Sequence, residues 1–436
     1  MSDMGVAIAG RPAGVRVLRG VQVIRTLAEL DRLASAWERL AAEGNPVTDF
    51  AYARAWAAGF ADSHDQREVR QTALPAGRPP GPLTSTSKPA ESRLSASYAR
   101  PRVQGDPRGP GGPPHRKPRL AAPQEGNQRL SVLTAGGRET LAIAPLTIHG
   151  GWAGWLTLLA AEMYEVMDFP GADESAVAEL AHGIVRTGRP LDLKRIPADA
   201  PAIAALEAAY RGRGIVRRRA VGGSPWIPLD DSWVAPEMRL EAGRRSDLRR
   251  ARRHAEKMGA VEAAVITPAR DQLPQLLDET FQVEAAGWKG ARGTALANDP
   301  VRGAFFRRYT EQACAKGTLR MCVLRIGGQP AAAQIAIESG SRFDLLRAGY
   351  DERFARCSPG MLLTAESIRY AARRGLRSYE FNGDAEPWTK IWTRHEHACC
   401  SLRAYPFSPR GVWALAADGG QAAVRELLRF RPGFEA

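Results

Sequence analysis

The sequence predicts an α/β chain of the α+β kind, built as two halves of similar plan. Three observations predict it: a strand, Gly-Gly turn, strand pattern that occurs twice, amphipathic helical patterns ahead of each copy, and one stretch where all periodicity vanishes. The 436 residues are 44% hydrophobic and 25% charged, an ordinary globular composition that suffices for two packed domains and excludes a wholly disordered or fibrous protein.

In chain order, the first element is helical. Leu27, Leu30, Ala34, Trp37 and Ala41 recur at three-and-four spacing, which places them on one helix face. Between Ala73 and Gln124 that pattern is lost. Twelve of the 31 prolines fall in residues 75–123 among Ser, Thr, Arg and Gly, and such a composition cannot bury a core. The expectation over 66–127 is a disordered, solvated insertion, with a basic docking arm and a shifted reading frame as alternatives. Nothing catalytic is expected there.

Order resumes with a hairpin pattern. Leu130 to Ala135, Gly136-Gly137 and Leu141 to Leu146 read as strand, turn, strand, and Leu319 to Ile326, Gly327-Gly328 and Ala331 to Ile337 repeat it. The second copy also follows a helical pattern, Leu273, Leu276, Leu277 and Phe281, and a proline-marked turn. From Pro46 to Gly136 is 90 residues and from Pro300 to Gly327 is 27; the difference of 63 matches the 62 residues of the insertion.

Between the halves, Pro236 to Met258 reads as one helix with Arg245, Arg249, Arg252 and Arg253 on one face and Leu240, Leu248 and Ala251 opposite. Nucleic acid favours such a face. The expected reading is nonetheless a solvated connecting helix with Asp247 and Glu256 as internal partners, because no aromatic platform interleaves the arginines. An acidic substrate or anionic carrier also fits.

After the second hairpin come a strand, Arg342 to Tyr350, a loop, Asp351 to Gly360, a helix, Met361 to Arg374, ended by Gly375, and a strand, Arg377 to Asn382. The loop ends Arg356-Cys357-Ser358-Pro359-Gly360. Pro359 presets φ for a helix start and Gly360 removes the Cβ that would keep a ligand from the backbone. Free amides, the positive end of the helix dipole, a cation and a hydroxyl make an anion site coherent. Ser-Pro is also an ordinary helix N-cap followed by proline in the first turn.

Charge and cysteines narrow the function classes. Lys and Arg number 61 against 47 Asp and Glu, giving +14, but residues 75–123 carry +7 and residues 244–257 carry +5, so the rest of the chain holds only +2. Five cysteines, Cys314, Cys322, Cys357, Cys399 and Cys400, form no C-x-x-C pair, which suggests neither a disulfide framework nor a zinc module and points to a reducing cytoplasm. His395, His397 and Cys399 alternate as metal ligands on a strand could, but no fourth ligand is evident and no metal is expected. The most apolar stretch, Gly150 to Met167, is interrupted by Glu162, so neither export nor a membrane span is expected.

Gly349-Tyr350-Asp351, Ser358-Pro359-Gly360-Met361-Leu362-Leu363 and Tyr379-Glu380-Phe381-Asn382-Gly383-Asp384, in that order behind the hairpin, resemble the GNAT acyltransferases. More narrowly the chain resembles the CelD-like, FemAB-related branch associated with cellulose or exopolysaccharide biosynthesis, through Ser232-Trp233, Leu248-Arg249-Arg250, Glu284 and Trp288-Lys289-Gly290. The resemblance covers residues 16–60 and 128–410. It implies tandem GNAT-like domains, each a mixed, mostly antiparallel sheet flanked by helices: a degenerate first domain over 16–235, a connecting helix over 236–258, a second domain with the donor site over 259–412, and a tail over 413–436. The counterpart of the phosphate loop in the first half, Tyr164 to Ala176, places Asp173 and Glu174 where a pyrophosphate would be repelled.

The resemblance further implies an N-acyltransferase in which an amine attacks an acyl-CoA thioester directly, acetyl-CoA or longer, with no covalent enzyme intermediate and no metal. By that transfer Arg356, Ser358 and Gly360, with the amides of Cys357 and Met361, hold the pyrophosphate, and backbone at Leu346, Arg347 and Ala348 meets the thioester. Asp384 and Glu386 are the candidate proton acceptors, with Tyr350 a further catalytic candidate. Asp384 could instead cap a turn or pair with Lys390. Glu284, Trp288, Lys289 and Lys390 are acceptor-side candidates. The Tyr-Lys common after the Gly-Asp turn is replaced here by Trp388-Thr389-Lys390-Ile391-Trp392. Aminoacyl transfer from tRNA is the rival reaction, and a non-catalytic GNAT-like module of a synthase complex the rival from another class.

Overall fold

The computed structural model describes residues 16–18, 20–41, 49–59, 128–136, 139–163 and 166–429. The insertion expected over 66–127 lies outside these residues. The first half runs β1 (Arg16–Leu18), β2 (Val21–Ile24), α1 (Leu27–Asp31), α2 (Ala34–Leu40), α3 (residues 50–59), β3 (Arg129–Leu130), β4 (Val132–Ala135), β5 (Ala142–Ala144), β6 (Leu146–His149), β7 (Trp155–Leu158), α4 (Glu174–Arg186), β8 (Leu191–Pro197), α5 (Pro201–Tyr210) and β9 (Gly214–Pro228). The second runs α6 (Pro236–Arg239), α7 (Ala242–Met258), β10 (Val261–Ile266), α8 (Leu273–Ala285), α9 (Trp288–Ala291), α10 (Pro300–Ala315), β11 (Leu319–Ile326), β12 (Gln329–Ser339), β13 (Arg342–Tyr350), α11 (Pro359–Arg373), β14 (Ser378–Glu380), β15 (Glu396–Pro406) and α12 (Pro409–Arg429).

Local chemistry explains where these elements start and stop. A capping box opens α1, in which the Glu29 amide donates to the Thr26 hydroxyl while the Glu29 carboxylate accepts from the Thr26 amide. Gly327 and Gly328, at φ +57° and +76°, make the two-residue turn between β11 and β12, which side chains with a Cβ resist. The single helix expected over Pro236 to Met258 is two: Leu240 is extended (φ −78°, ψ 151°), and its burial in the core breaks the helical run between α6 and α7.

Among the described residues the strands form a four-stranded sheet, β1-β2-β4-β5, and an eleven-stranded sheet, β10-β11-β12-β13-β14-β9-β15-β8-β7-β6-β3. Pairing is antiparallel except for β7 with β8 and β13 with β14. These two parallel pairs occupy matching places in the two halves, which is the duplication seen in the hairpins. The halves also exchange strands. β9, from the first half, lies between β14 and β15; β15, from the second, lies between β9 and β8.

Helices cover both faces of the second half's sheet. On one face α11 packs over Phe343 and Tyr379, whose rings stack at 5.1 Å, and the Tyr379 hydroxyl hydrogen-bonds Ser367 at 2.9 Å. On the other, α8 and α10 share one continuous core with the first half, joined where Tyr52 and Trp56 of α3 meet Phe305 of α10 edge-on at 4.9 and 5.1 Å. Among the described residues no helix is long and apolar enough to cross a membrane.

Because β9 is the neighbour of both β14 and β15, a fragment spanning 236–436 loses the partner of its two last strands. Such a fragment is expected to lack cooperative thermal unfolding by circular dichroism, and co-expression with 1–235 is expected to restore it.

Candidate active site at the strand fork

The parallel pairing of β13 and β14 lasts three residues, Arg342 with Ser378, Phe343 with Tyr379 and Asp344 with Glu380. Beyond it the strands part. The Phe381 amide turns to the Pro225 carbonyl of β9 at 3.0 Å, and Asn382 adopts a left-handed conformation at φ +54°, which asparagine tolerates. Its Nδ2 reaches back across the opening to Asp344 Oδ1 at 3.4 Å and the Leu345 carbonyl at 3.5 Å. A bulge in β13 lies at the same level: Ile335 opposes Arg347 and Ala336 opposes Leu345, so Leu346 is the extra residue. Leu346 joins the core containing Phe306, and the Arg347 guanidinium lies 5.6 Å from the Phe306 ring, so both turn to the α8–α10 face.

The start of α11 stands beside the far end of β13. The expected loop is a 3-10 helix, Glu352–Cys357, and Ser358 follows it at φ +43° and ψ +53°. That left-handed serine makes no side-chain cap, so its hydroxyl is not the ordinary N-cap that Ser-Pro suggested. The amides of Met361 and Leu362 both donate to the Ser358 carbonyl, at 3.0 and 3.2 Å. Arg356 is exposed, whereas Cys357 is buried with its Sγ 3.5 Å from Met258 Sδ of α7, and burial raises its thiol pKa. A side chain at Gly360 would meet the Tyr350 ring at 3.7 Å. The Tyr350 hydroxyl donates to Glu352 Oε1 at 3.3 Å; burial, then the Glu352 charge and hydrogen bond, raise its pKa and keep the phenol protonated.

On the α8–α10 face, the end of β13 carries a buried charge cluster. Glu284, 4% exposed, accepts from Lys289 Nζ at 2.8 Å, from Arg347 at 2.8 Å and from the Leu296 amide at 2.8 Å. Lys289 also donates to the Ala348 carbonyl at 2.7 Å, inside the stretch expected to meet the thioester. Burial alone would raise the Glu284 carboxyl, but Lys289 and Arg347 outweigh it and hold it below the usual range. Burial and the Arg347 charge lower the Lys289 ammonium against the pull of Glu284 and Glu386. The backbone fits tightly here: a Cβ on Gly287 would lie 2.5 Å from the Tyr350 carbonyl oxygen, and one on Gly349 would lie 3.0 Å from Glu284 Cα.

The remaining candidates are dispersed. Asp384 Oδ1 accepts from Arg195 of β8 at 3.0 Å, and that arginine, 4% exposed, also donates to the Gly383 carbonyl at 2.9 Å. The partner is therefore Arg195 and not Lys390, because the strand exchange carries β8 to this turn. Glu386 is exposed and accepts from the Trp388 indole at 3.0 Å, and Lys390 is exposed. Trp288, 41% exposed, has the Arg292 guanidinium 5.0 Å from its ring.

Sequence reasoning missed a second charge network at the root of the fork. Arg342 bridges the buried Asp344 at 2.8 Å and Glu380 at 3.4 Å, and His397 Nε2 lies 3.0 Å from Glu380 Oε2. The alternation of His395, His397 and Cys399 drew attention as metal spacing, but β15 shifts register between His397 and Cys399. Among the described residues no three His, Cys, Asp or Glu side chains are placed to hold a metal. Glu380 was visible only as part of a strand pattern; its polar character at a paired position between two apolar neighbours, Tyr379 and Phe381, was the available signal.

Residues 242–390 match the family model of an acetyltransferase (GNAT) domain, and this part of the chain is accordingly a GNAT-type acyltransferase domain, of the fold that uses acetyl-CoA or another acyl-CoA. Among curated proteins none matches the chain. Similar solved structures include the C-terminal DUF2156 domain of a putative lysylphosphatidylglycerol synthetase from Agrobacterium fabrum, at 14% identity and TM-score 0.42 over 64% of this chain and 85% of that one. FemX is similar at 12% identity and TM-score 0.41 over 66% and 90%, and a tandem GNAT protein from the clavulanic acid biosynthesis pathway at 14% and 0.36 over 66% and 85%. Likeness at this level says nothing of substrates.

Removing Glu284 leaves two half-buried cations facing one another. Glu284→Ala is expected to cost about 3–5 kcal/mol in urea unfolding, and adding Lys289→Met to recover part of that loss. Burial pushes the Asp344 carboxyl up to about 6 despite Arg342. A carboxyl raised on folding contributes stability that is fully present below its unfolded pKa of about 3.9 and is lost as pH rises through 6. Asp344→Asn is expected to flatten that fall, which amounts to at most about 3 kcal/mol between roughly pH 4 and 6; unfolding measured across that window checks it.

Proposed function

We propose that the chain is an N-acyltransferase that moves an acyl group from acetyl-CoA or a longer acyl-CoA to an amine of a sugar nucleotide, polysaccharide precursor or related small metabolite. The observation that carries this reading is the fork: β13 and β14 part after three paired residues, and the start of α11 stands at the end of the same strand. A thioester arm laid along the freed edge of β13 brings its pyrophosphate to the first turn of α11, where Arg356, Ser358 and Gly360 surround the positive end of the helix. Cys357 serves as a buried anchor against Met258 and supplies backbone only.

The thioester then lies by Leu346, Arg347 and Ala348. Lys289 and Arg347 outnumber Glu284 there, and their excess positive charge stabilises the negative charge that develops on the carbonyl oxygen and on the leaving sulfur. Tyr350, held protonated beside Gly360, is suited to hand a proton to the departing thiolate. Asp384, held by Arg195, orients the turn after β14, and Glu386, Lys390 and Trp288 border the acceptor side. A place in exopolysaccharide biosynthesis, within the CelD-like branch and in the cytoplasm, accords with this chemistry.

One observation favours aminoacyl transfer from tRNA instead. On α7, Arg245, Arg249, Arg253 and Lys257 recur every four residues and form no ion pair among the described residues, whereas Arg244 and Arg250 share Asp247 and Arg252 pairs with Glu256. Such a stripe suits a phosphate backbone.

Calorimetric titration with acetyl-CoA and a longer acyl-CoA tests the donor. Arg356→Ala, a surface change, is expected to weaken binding about tenfold by removing one charged hydrogen bond to phosphate. A folded protein that binds neither thioester but binds RNA with steep salt dependence belongs to the second reading.

A further inference from the structure

Building on that acyltransferase reading, we propose that His397 is the general base of the reaction and that Glu380 is its positioning residue. The placement follows from which face of the sheet each side chain takes. Tyr379 and Ile227 pair across β14 and β9 and both pack into the core under α11. Their neighbours Glu380 and Trp226, also paired, therefore stand on the opposite face, with Arg342 and Asp344 of β13 beside them. His397 pairs with Ser224, two residues along β9 from Trp226, and so shares that face. Its ring stacks on Trp226 at 4.8 Å with 14° between planes.

This is the face onto which Lys289, Glu284 and Arg347 open from the other prong of the fork. The last paired residues, Asp344 and Glu380, mark the root of the fork, and His397 is bonded to the second of them. The carboxylate partner thus comes from β14, across β9, and not from the imidazole's own strand. Burial would raise the Glu380 carboxyl, but His397 and Arg342 hold it low, so it is an ionised acceptor. An acceptor at 3.0 Å from Nε2 requires the proton on Nε2. Nδ1 then carries the lone pair, and among the described residues no hydrogen bond occupies it, while 44% of the side chain is open to solvent. A carboxylate that fixes the tautomer and steadies the imidazolium is how a histidine is prepared as a base.

In the reaction the neutral amine attacks the thioester carbonyl carbon, a C–N bond forms, and the nitrogen's proton passes to His397 Nδ1. The C–S bond breaks, the thiolate takes a proton from Tyr350, which is reprotonated from water, and the imidazolium returns its proton to water. Amine and acyl-CoA become amide and free CoA. Trp226 fixes the plane of the ring. Other titratable and charged groups on the strands around it include Arg342 and Asp344 on β13, Arg195 on β8 with Asp384 in the adjoining turn, and His395 and Glu396 next to it in sequence, while Arg217, Arg218 and Arg219 lie further along β9.

The test uses the full chain, acetyl-CoA as donor, and ethylamine and glucosamine as probe acceptors, with release of CoA thiol followed against pH. His397→Gln is expected to lower kcat about 100-fold or more and to remove the acidic limb of the pH profile, with acetyl-CoA affinity by calorimetry unchanged. Glu380→Gln is expected to lower kcat about tenfold and displace that limb, and free imidazole to restore part of the activity of His397→Ala. A His397→Gln rate and profile equal to those of the unaltered chain overturn the assignment, as does thiol release no faster than the uncatalysed reaction when acetyl-CoA binds. An unaltered chain that does not bind acetyl-CoA overturns the donor reading instead, and this inference falls with it.

Discussion

One shared strand sets the geometry on which the rest depends. A strand with an unpaired edge in a sheet interior leaves backbone donors and acceptors unsatisfied, so β14 must find a neighbour on each side. Over the same three residues it has β13 on one side and β9 on the other, and beyond them the Phe381 amide keeps the chain on β9 while β13 parts from it. The fork is the consequence. β13 runs on to Tyr350 without β14, and its freed backbone, the bulge at Leu346 and the start of α11 all lie along one line. Because β9 belongs to the first half, the opening in the second half is made by the first.

Charge is arranged around that opening in two closed groups. Each buries ionic side chains, which is costly unless every charge has a partner and every carboxylate its donors. Glu284 meets the demand with two cations and the Leu296 amide; Arg342 meets it by joining Asp344 to Glu380. The two groups differ in sign. One prong holds two cations around one carboxylate, and the other holds two carboxylates around one cation. In the proposed reaction the thioester oxygen and sulfur gain negative charge on the first prong, while the amine sheds a proton on the second, so the field across the fork runs with the movement of charge.

Much of this was legible in the sequence, for identifiable reasons. β13 over Arg342–Tyr350, the hairpin of β11 and β12 and the helix behind Ser358-Pro359-Gly360 follow from periodicity and turn residues, which are local. The duplication was visible because both hairpin patterns keep their Gly-Gly pairs. The strand exchange was not, since no local signal tells β9 that its neighbours are β14 and β15. Asp384 was read beside Lys390 for the same reason: Arg195 lies 189 residues away in sequence and arrives only through the exchange. His397 was read by its spacing to His395 and Cys399, yet its partner, Glu380, stands two strands over, and a register shift takes Cys399 out of the row.

The duplication also bears on why the proposed donor site lies in the second half. In the matching position of the first half, α4 likewise precedes the second strand of a parallel pair, but Asp173 caps it and its carboxylate accepts from the Ala176 amide at 2.8 Å, with Glu174 in the first turn. A helix start filled by its own carboxylate has fewer amides to offer a phosphate and repels one besides. At α11 the corresponding residue is Ser358, held left-handed and making no cap, a conformation that costs on the order of 1–2 kcal/mol for a residue with a side chain. On the proposed reading the first half keeps the fold without an anion site, and what it contributes is β9, Arg195 and the aromatic contact of α3 with α10. The left-handed turn at Ser358 leaves its hydroxyl uncommitted to the helix, beside the exposed Arg356 and the side-chain-free Gly360 that the proposed donor would meet.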